Sequence, residues 1–378
     1  MAVKTSTLVR ISTVLAVLAF GSGCRKPLLG PRGWNTHSRV WCWAGDPGRT
    51  GYSTEIVGRS PKPVWTYRAM SGVGNAIVVR DSLLFFGKKG GGISALDIRK
   101  GKVAAEFRTV GKGEVTCCPE ETRLVVVERI AKPSVYALDL LTGRRLWKAD
   151  FGMIDGEPLV CDSRVILGNS DGVVFALDSR SGSQIWKKEI DEPVFSSPAQ
   201  SGDTVVVVGA EGGVRAFSAR DGNILWEHDE GGSVDSGPVI RNGRVFVGFH
   251  GGAFRCFSLS DGRLLWMHQG EGSVFTTAAA SDVSVFYGTS QGVLYCLDPK
   301  DGLVRWSFQT GSVVGTSPWV GPTAVIFGTL DMDLIALDPS TGRELWRIRV
   351  KGRLRTSPLV WKGMVVTASE DSYVYAFR

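Results

Sequence analysis

The chain has 378 residues, 43% hydrophobic and 21% charged, a balance that excludes intrinsic disorder and leaves room for one large domain or two ordinary ones. Its formal net charge of +7 is unevenly placed: residues 1–68 hold ten Lys/Arg against Asp46 and Glu55, and the rest of the chain carries 34 against 35. The folded body is therefore neutral, which excludes nucleic acid as a partner, because such binding needs the basic charge on the fold itself.

At the N-terminus, Lys4 and Arg10 precede a largely apolar run over residues 11–20 and then Gly21-Ser22-Gly23-Cys24. The run is shorter than the roughly 20 apolar residues of a spanning helix, and a basic start, an apolar stretch and small residues read as an export signal. The segment resembles a bacterial lipoprotein signal, in which small residues precede a cysteine that is lipidated and begins the mature chain; Gly21 departs from that pattern, which prefers leucine. The resemblance implies lipidation of Cys24, and Arg25 in place of Asp implies sorting to the outer membrane, facing the periplasm. An ordinary cleaved signal peptide and an uncleaved anchor are the alternatives. We expect a signal over 1–24, a basic stalk and lead-in over 25–61, and a folded domain over 62–378. Cations beside an anchor are attracted to anionic headgroups by about 1 kcal/mol each.

Self-comparison gives the strongest signal. Trp65, Trp147, Trp186, Trp226, Trp266, Trp306 and Trp346 recur, the last five 40 residues apart, and Ala105 fills an eighth slot, four residues after Gly101. Residues 187–226 show the unit: a short first strand over 193–198, a buried second over 204–208, an alternating third over 214–217 and a fourth over 224–226. Glycines separate the second and third, and loops such as Asp178-Ser-Arg-Ser-Gly182 or Asp338-Pro-Ser-Thr-Gly342 join the third and fourth. Asp or Ser there can bond backbone amides ahead, and Gly can take the left-handed position that ends a short hairpin loop. Four such strands make one antiparallel blade, which must stack on neighbours to bury both faces. The tryptophans are expected to dock blade on blade, with small residues opposite them: alanine in Tyr136-Ala137-Leu138, cysteine at Cys256 and Cys296. The pattern predicts an all-β fold, an eight-bladed β-propeller of four-stranded antiparallel blades. After Trp346 only three strands follow, over 356–360, 364–368 and 373–377, so the strand at 64–68 is expected to complete the last blade and close the ring.

The recurring run Ala-Leu-Asp-x-x-Thr-Gly-x-x-x-Trp resembles the quinoprotein-like (PQQ-like) propeller repeat family, over residues 62–378. Within it, eight blades, one signal peptide and the lack of large insertions look most like the lipoproteins of outer-membrane β-barrel assembly. Residues 43–53, Trp-Ala-Gly-Asp-Pro-Gly-Arg-Thr-Gly-Tyr-Ser, are similar to the lead-in that precedes many such propellers. The resemblance implies a non-enzymatic, lipid-anchored scaffold, monomeric within a complex, with protein partners in the barrel-assembly machinery and no cofactor or metal. It keeps two alternatives open: a quinone-dependent dehydrogenase, and a cell-envelope module binding glycan or another ligand.

Adjacent Cys117 and Cys118 invite the enzymatic alternative, because some quinoprotein alcohol dehydrogenases carry a vicinal disulfide near the quinone. Neighbouring Cα atoms lie ~3.8 Å apart, below the ~4.4 Å lower end for ordinary disulfides, so such a bond would be strained; two ordinary thiols are the other reading. Those enzymes also need calcium held by carboxylate and amide oxygens, a catalytic Asp and arginine for the quinone carboxylates, on long loops that this economical sequence lacks. The four histidines show no zinc-ligand spacing, and His228 and His268 read as solvated surface groups. At the head of the first strands, Asp155, Phe195, Asp235 and Phe275 fall at equivalent positions, either a docking surface or a solvent-facing ring. Arg347, Arg349, Lys351, Arg353 and Arg355 alternate with apolar residues, giving a cationic face for a membrane or acidic partner, or a charged edge that blocks strand addition.

Overall fold

The computed structural model describes residues 40–41, 45–111, 113–129 and 133–378. Cys24, the 1–24 signal and the stalk up to residue 39 lie outside the described residues.

Eight antiparallel sheets form the ring. Blade one holds Val73–Arg80, Leu83–Lys88, Ile93–Asp97 and Lys102–Phe107; blades two to seven occupy residues 115–149, 159–189, 199–229, 239–269, 279–309 and 319–349. Blade eight takes Leu354–Trp361, Met364–Ser369 and Tyr373–Phe377 from the C-terminus and Pro63–Arg68 from the N-terminus, as the strand count predicts. The seam is held tightly: the Lys62 and Arg378 amides each donate to the other residue's carbonyl, at 2.7 and 2.9 Å. Val40–Trp41 adds a short fifth strand to the inner edge of blade one.

The second strands are buried on both faces, which is why they read as Thr-Val-Val-Val-Val or Arg-Val-Ile-Leu-Gly rather than as alternating sequences. Hydrophobic clusters consequently lie between neighbouring blades rather than inside one.

Each tryptophan sits at a defined irregularity. In all eight blades the third and fourth strands slip by one residue just before the slot, leaving Leu225, for example, without a ladder partner and setting Trp226 opposite Ala216. Cys256 and Cys296 face Trp266 and Trp306 in the same way. The residue facing the indole from the third strand is small in every case, alanine or, at Cys256 and Cys296, cysteine. The ring of Trp186 then covers Gly222 of the next blade. A Cβ on that glycine would lie 2.7 Å from Trp186 Cδ2, and its φ of +71° favours glycine in any case. The indole N–H of Trp186 donates to the Ala219 carbonyl at 3.0 Å. Trp65, Trp147, Trp226, Trp266 and Trp306 repeat both contacts, with acceptors at Ile98, Ser179, Leu259, Pro299 and Pro339. Trp346 abuts the seam, where no Asp-to-Gly loop joins the last two strands, and its buried indole N–H has no acceptor.

Two boundaries differ from expectation. The innermost strand of blade four is Ala199–Ser201, and residues 193–198 line the channel outside the ladder. Pro193 and Pro198 have no amide to donate, and Ser196 Oγ instead donates to the Val208 carbonyl at 2.7 Å. The lead-in, in turn, is no free stalk: Arg49, Thr50, Ser53 and Val57 are buried in the ring.

The hydrogen bond separates the tryptophans. Trp186→Phe should lower stability by about 1 kcal/mol more than Trp346→Phe, because only the first leaves a buried carbonyl without its donor. Urea unfolding of the two variants measures the difference, and equal losses would mean that the indole N–H adds nothing to the stability of the stack.

Candidate functional site

The eight innermost segments surround a central channel whose two ends differ. At the end where the inner strands turn into the second strands, the lead-in runs from blade to blade. The amides of Gln200, Ile240, Ala280 and Val320 donate in turn to the carbonyls of Pro47, Gly48, Thr50 and Gly51 at 2.7 to 2.9 Å, and Gly363 N donates to Glu55 Oε2 at 3.1 Å. The donors recur every 40 residues, so one short stretch of chain satisfies the ends of four repeats. The stretch can bend this way because Asp46 accepts from Thr50 N and Thr50 Oγ1, closing a local turn. Arg49, only 2% exposed and with φ of 54°, projects from that turn and donates to the carbonyls of Pro198 and Glu157.

The opposite end is an open cavity of about 610 Å³. Its wall is a hydroxyl belt that also links blades: Glu157 N donates to Ser197 Oγ, Gly237 N to Thr277 Oγ1 and Ser317 N to Ser357 Oγ, each pair 40 residues apart. Glu157 and Arg129 pair at 3.0 Å near the base, with Glu114 3.5 Å from Arg129. Burial pushes the Glu157 carboxyl above its usual range, opposed by the charges of Arg129 and Arg49.

Asp155, Phe195, Asp235 and Phe275 all line this cavity, so the structure brings together the four residues that the repeat alignment singled out. Asp235 Oδ2 lies 2.9 Å from His250 Nε2, and the His250 ring meets Phe275 edge-on at 5.0 Å. His250 comes from the loop between the second and third strands of blade five, a contact that spacing could not foretell.

The cationic run divides. Arg347 and Arg349 stand on the outermost strand of blade seven and are paired with Asp333, Glu344 and Asp331. Arg355 belongs to the innermost strand of blade eight, lines the cavity and pairs with Glu370 at 2.6 Å. Lys351 lies 5.8 Å from the Tyr373 ring centroid, and Arg353 is exposed. These five residues do not share one face, because the connection between blades carries the chain from rim to channel.

Of the two readings of Cys117 and Cys118, the geometry fits separate thiols rather than a vicinal disulfide. They are successive residues of the regular strand Val115–Glu120, so their side chains point to opposite faces. Cys117 packs between blades one and two, Cys118 between blades two and three, and no bond joins them. Burial pushes the Cys117 thiol far above its usual range. The two outer-strand histidines are not simply solvated either: His268 Nδ1 is 2.6 Å from the Tyr287 hydroxyl, and His228 lies against the rings of Trp226 and Phe257.

If the Arg49 anchor holds the lead-in, Arg49→Met should destabilise the protein by roughly 1.5–3 kcal/mol, the range for hydrogen bonds that involve a charged group. Hydrogen exchange should show the amides of Gln200, Ile240, Ala280 and Val320 losing protection together. Loss at one of them alone would mean that the lead-in is held locally.

Residues 131–272, 227–308 and 290–378 match a family model described as outer membrane protein assembly factor BamB. No curated protein matches the chain. Among solved structures, it is similar to BamB from Moraxella catarrhalis, with 19% identity and a TM-score of 0.73 over 84% of this chain and 100% of that one. The computationally designed Ika8 protein aligns at 19% identity and TM-score 0.74, over 86% and 99% of the two chains. The quinohemoprotein alcohol dehydrogenase from Comamonas testosteroni aligns at 14% identity and TM-score 0.74, over 89% and 80%. At these identities the solved structures share the fold.

Among the described residues no three carboxylate, histidine or cysteine side chains converge. In the channel, Glu157 is engaged by Arg129 and Asp235 by His250, while Cys117 and Cys118 face away from each other into the blade interfaces.

Proposed function

Since the chain belongs to the PQQ-like repeat family whose model is described as outer membrane protein assembly factor BamB, we propose that it is a non-enzymatic scaffold in the assembly and insertion of β-barrel outer-membrane proteins. In this reading Cys24 carries the lipid anchor, the ring stands on the periplasmic face of the outer membrane, and its partners are proteins of the assembly machinery. The family match over residues 131–378 carries the proposal. The geometry supports a platform: the blades are joined by short connections, and the open end of the channel displays Phe195 and Phe275 beside Asp155 and Asp235. Exposed aromatics on a rigid frame are suited to protein contact. The dehydrogenase reading has the shared fold in its favour, and the family match favours the scaffold.

A photo-crosslinking residue placed at Phe195 or Phe275 of the full-length protein in its native membranes tests the scaffold. Adducts with β-barrel assembly proteins are expected, together with lowered levels of outer-membrane barrels when the gene is deleted. Adducts confined to wall or polysaccharide fractions, with barrel levels unchanged, would sink the reading in favour of an envelope-binding module.

A further inference from the structure

Phe195 and Phe275 are the only exposed aromatic side chains among the described residues, 37% and 45% exposed, and both stand at the channel mouth. They come from blades four and six and flank Asp235 of blade five, with Asp155 of blade three beyond. The other described rings are buried or half-buried, so two exposed phenyls around a concavity mark a contact surface.

The charges there are unbalanced. Arg129 is already paired with Glu114 and Glu157, and Arg355 with Glu370. Asp155 has no ion pair among the described residues, and Asp235 has only the hydrogen bond with the His250 ring. The mouth therefore keeps free carboxylate charge on a body that is otherwise neutral. Phenyl faces and carboxylates attract the same species, a cation, and both repel an anion. An apolar group would take the carboxylates out of water without giving them a partner. Below the mouth, the lead-in lies across the far end, so a group that enters meets a floor rather than a passage.

We propose that this mouth receives an arginine or lysine side chain presented by a protein partner, its charged head between Asp155 and Asp235 and its stem against Phe195 and Phe275. The proposal deepens the scaffold reading and rests on it for the polypeptide nature of the occupant. Two partly exposed phenyls in the wall of the cavity suit a chain that lies over the opening while one side chain descends along them.

The probe is a fluorine-labelled pentapeptide with a single central arginine between glycines and serines, beside its citrulline counterpart, which keeps the shape and loses the charge. Titrated into the full-length protein and followed by fluorine NMR, the arginine peptide should bind at least tenfold more tightly than the citrulline one, and more weakly as salt rises. Asp155→Asn with Asp235→Asn should bring the two peptides level, and Phe275→Ala should weaken the arginine peptide severalfold, with thermal unfolding showing that the variants remain folded. Equal binding of the two peptides, no binding of either at millimolar concentration, or indifference to the Asn pair would overturn the proposal. So would spermidine binding as tightly as the peptide, which would make the occupant a free organic cation. Loss of peptide selectivity with assembly-protein adducts retained would remove this pocket and leave the scaffold; selectivity without such adducts would do the reverse.

Discussion

An indole laid over a glycine of the next blade is the contact on which the ring depends. A four-stranded blade has two apolar faces and no core of its own, so it is stable only when stacked. The tryptophan sets the spacing of the stack. Its ring fills the gap above a residue with no side chain, and in six blades its N–H fixes the angle by reaching a carbonyl of the neighbouring loop. Everything else in the repeat accommodates that ring: the one-residue slip that turns it inward, the alanine or cysteine facing it, and the left-handed glycine beneath it. Where Ala105 stands in place of the indole, Phe107, Tyr136 and Cys117 fill the cluster between blades one and two.

A ring stacked in this way leaves a hole, and the two ends of the hole are treated differently. One is covered by backbone, because inner-strand amides 40 residues apart donate in turn to carbonyls of the short lead-in stretch from Pro47 to Gly51. The other is lined by side chains that vary from blade to blade. Rigidity comes from the repeated positions and individuality from the unrepeated ones, a division that suits a scaffold whose contact chemistry can change without disturbing its packing.

That division also explains what was legible in the sequence. Repeat number, strand order and the tryptophan slots follow from periodicity, because each recurs from blade to blade, and the shared last blade follows from the count of strands after Trp346. The mouth residues were found by aligning the repeats, since Asp155, Phe195, Asp235 and Phe275 occupy one register position. Arg49 and His250 were not, because each acts once and through contacts distant in sequence; the nearest signal for Arg49 was the Asp46-to-Thr50 turn around it. Cys117 and Cys118 drew attention by adjacency, yet strand alternation sends neighbours to opposite faces, so adjacency inside a strand separates two sulfurs. The Arg347 to Arg355 run failed as a surface for a related reason: it crosses from the outer rim of one blade to the inner edge of the next.

The seam gives the ring a way to register its own completeness. Pro63–Arg68 is made early and finds its partner only in Tyr373–Phe377, after all the other blades have been made. Seven blades can assemble during synthesis while that strand waits with its edge unpaired. A chain stopped short of residue 373 would retain most of its blades but present an open, partly apolar strand at one end and an unsupported Trp346 at the other. Such an edge is what aggregation and proteolysis act on, so truncated copies are exposed to removal while finished rings are not.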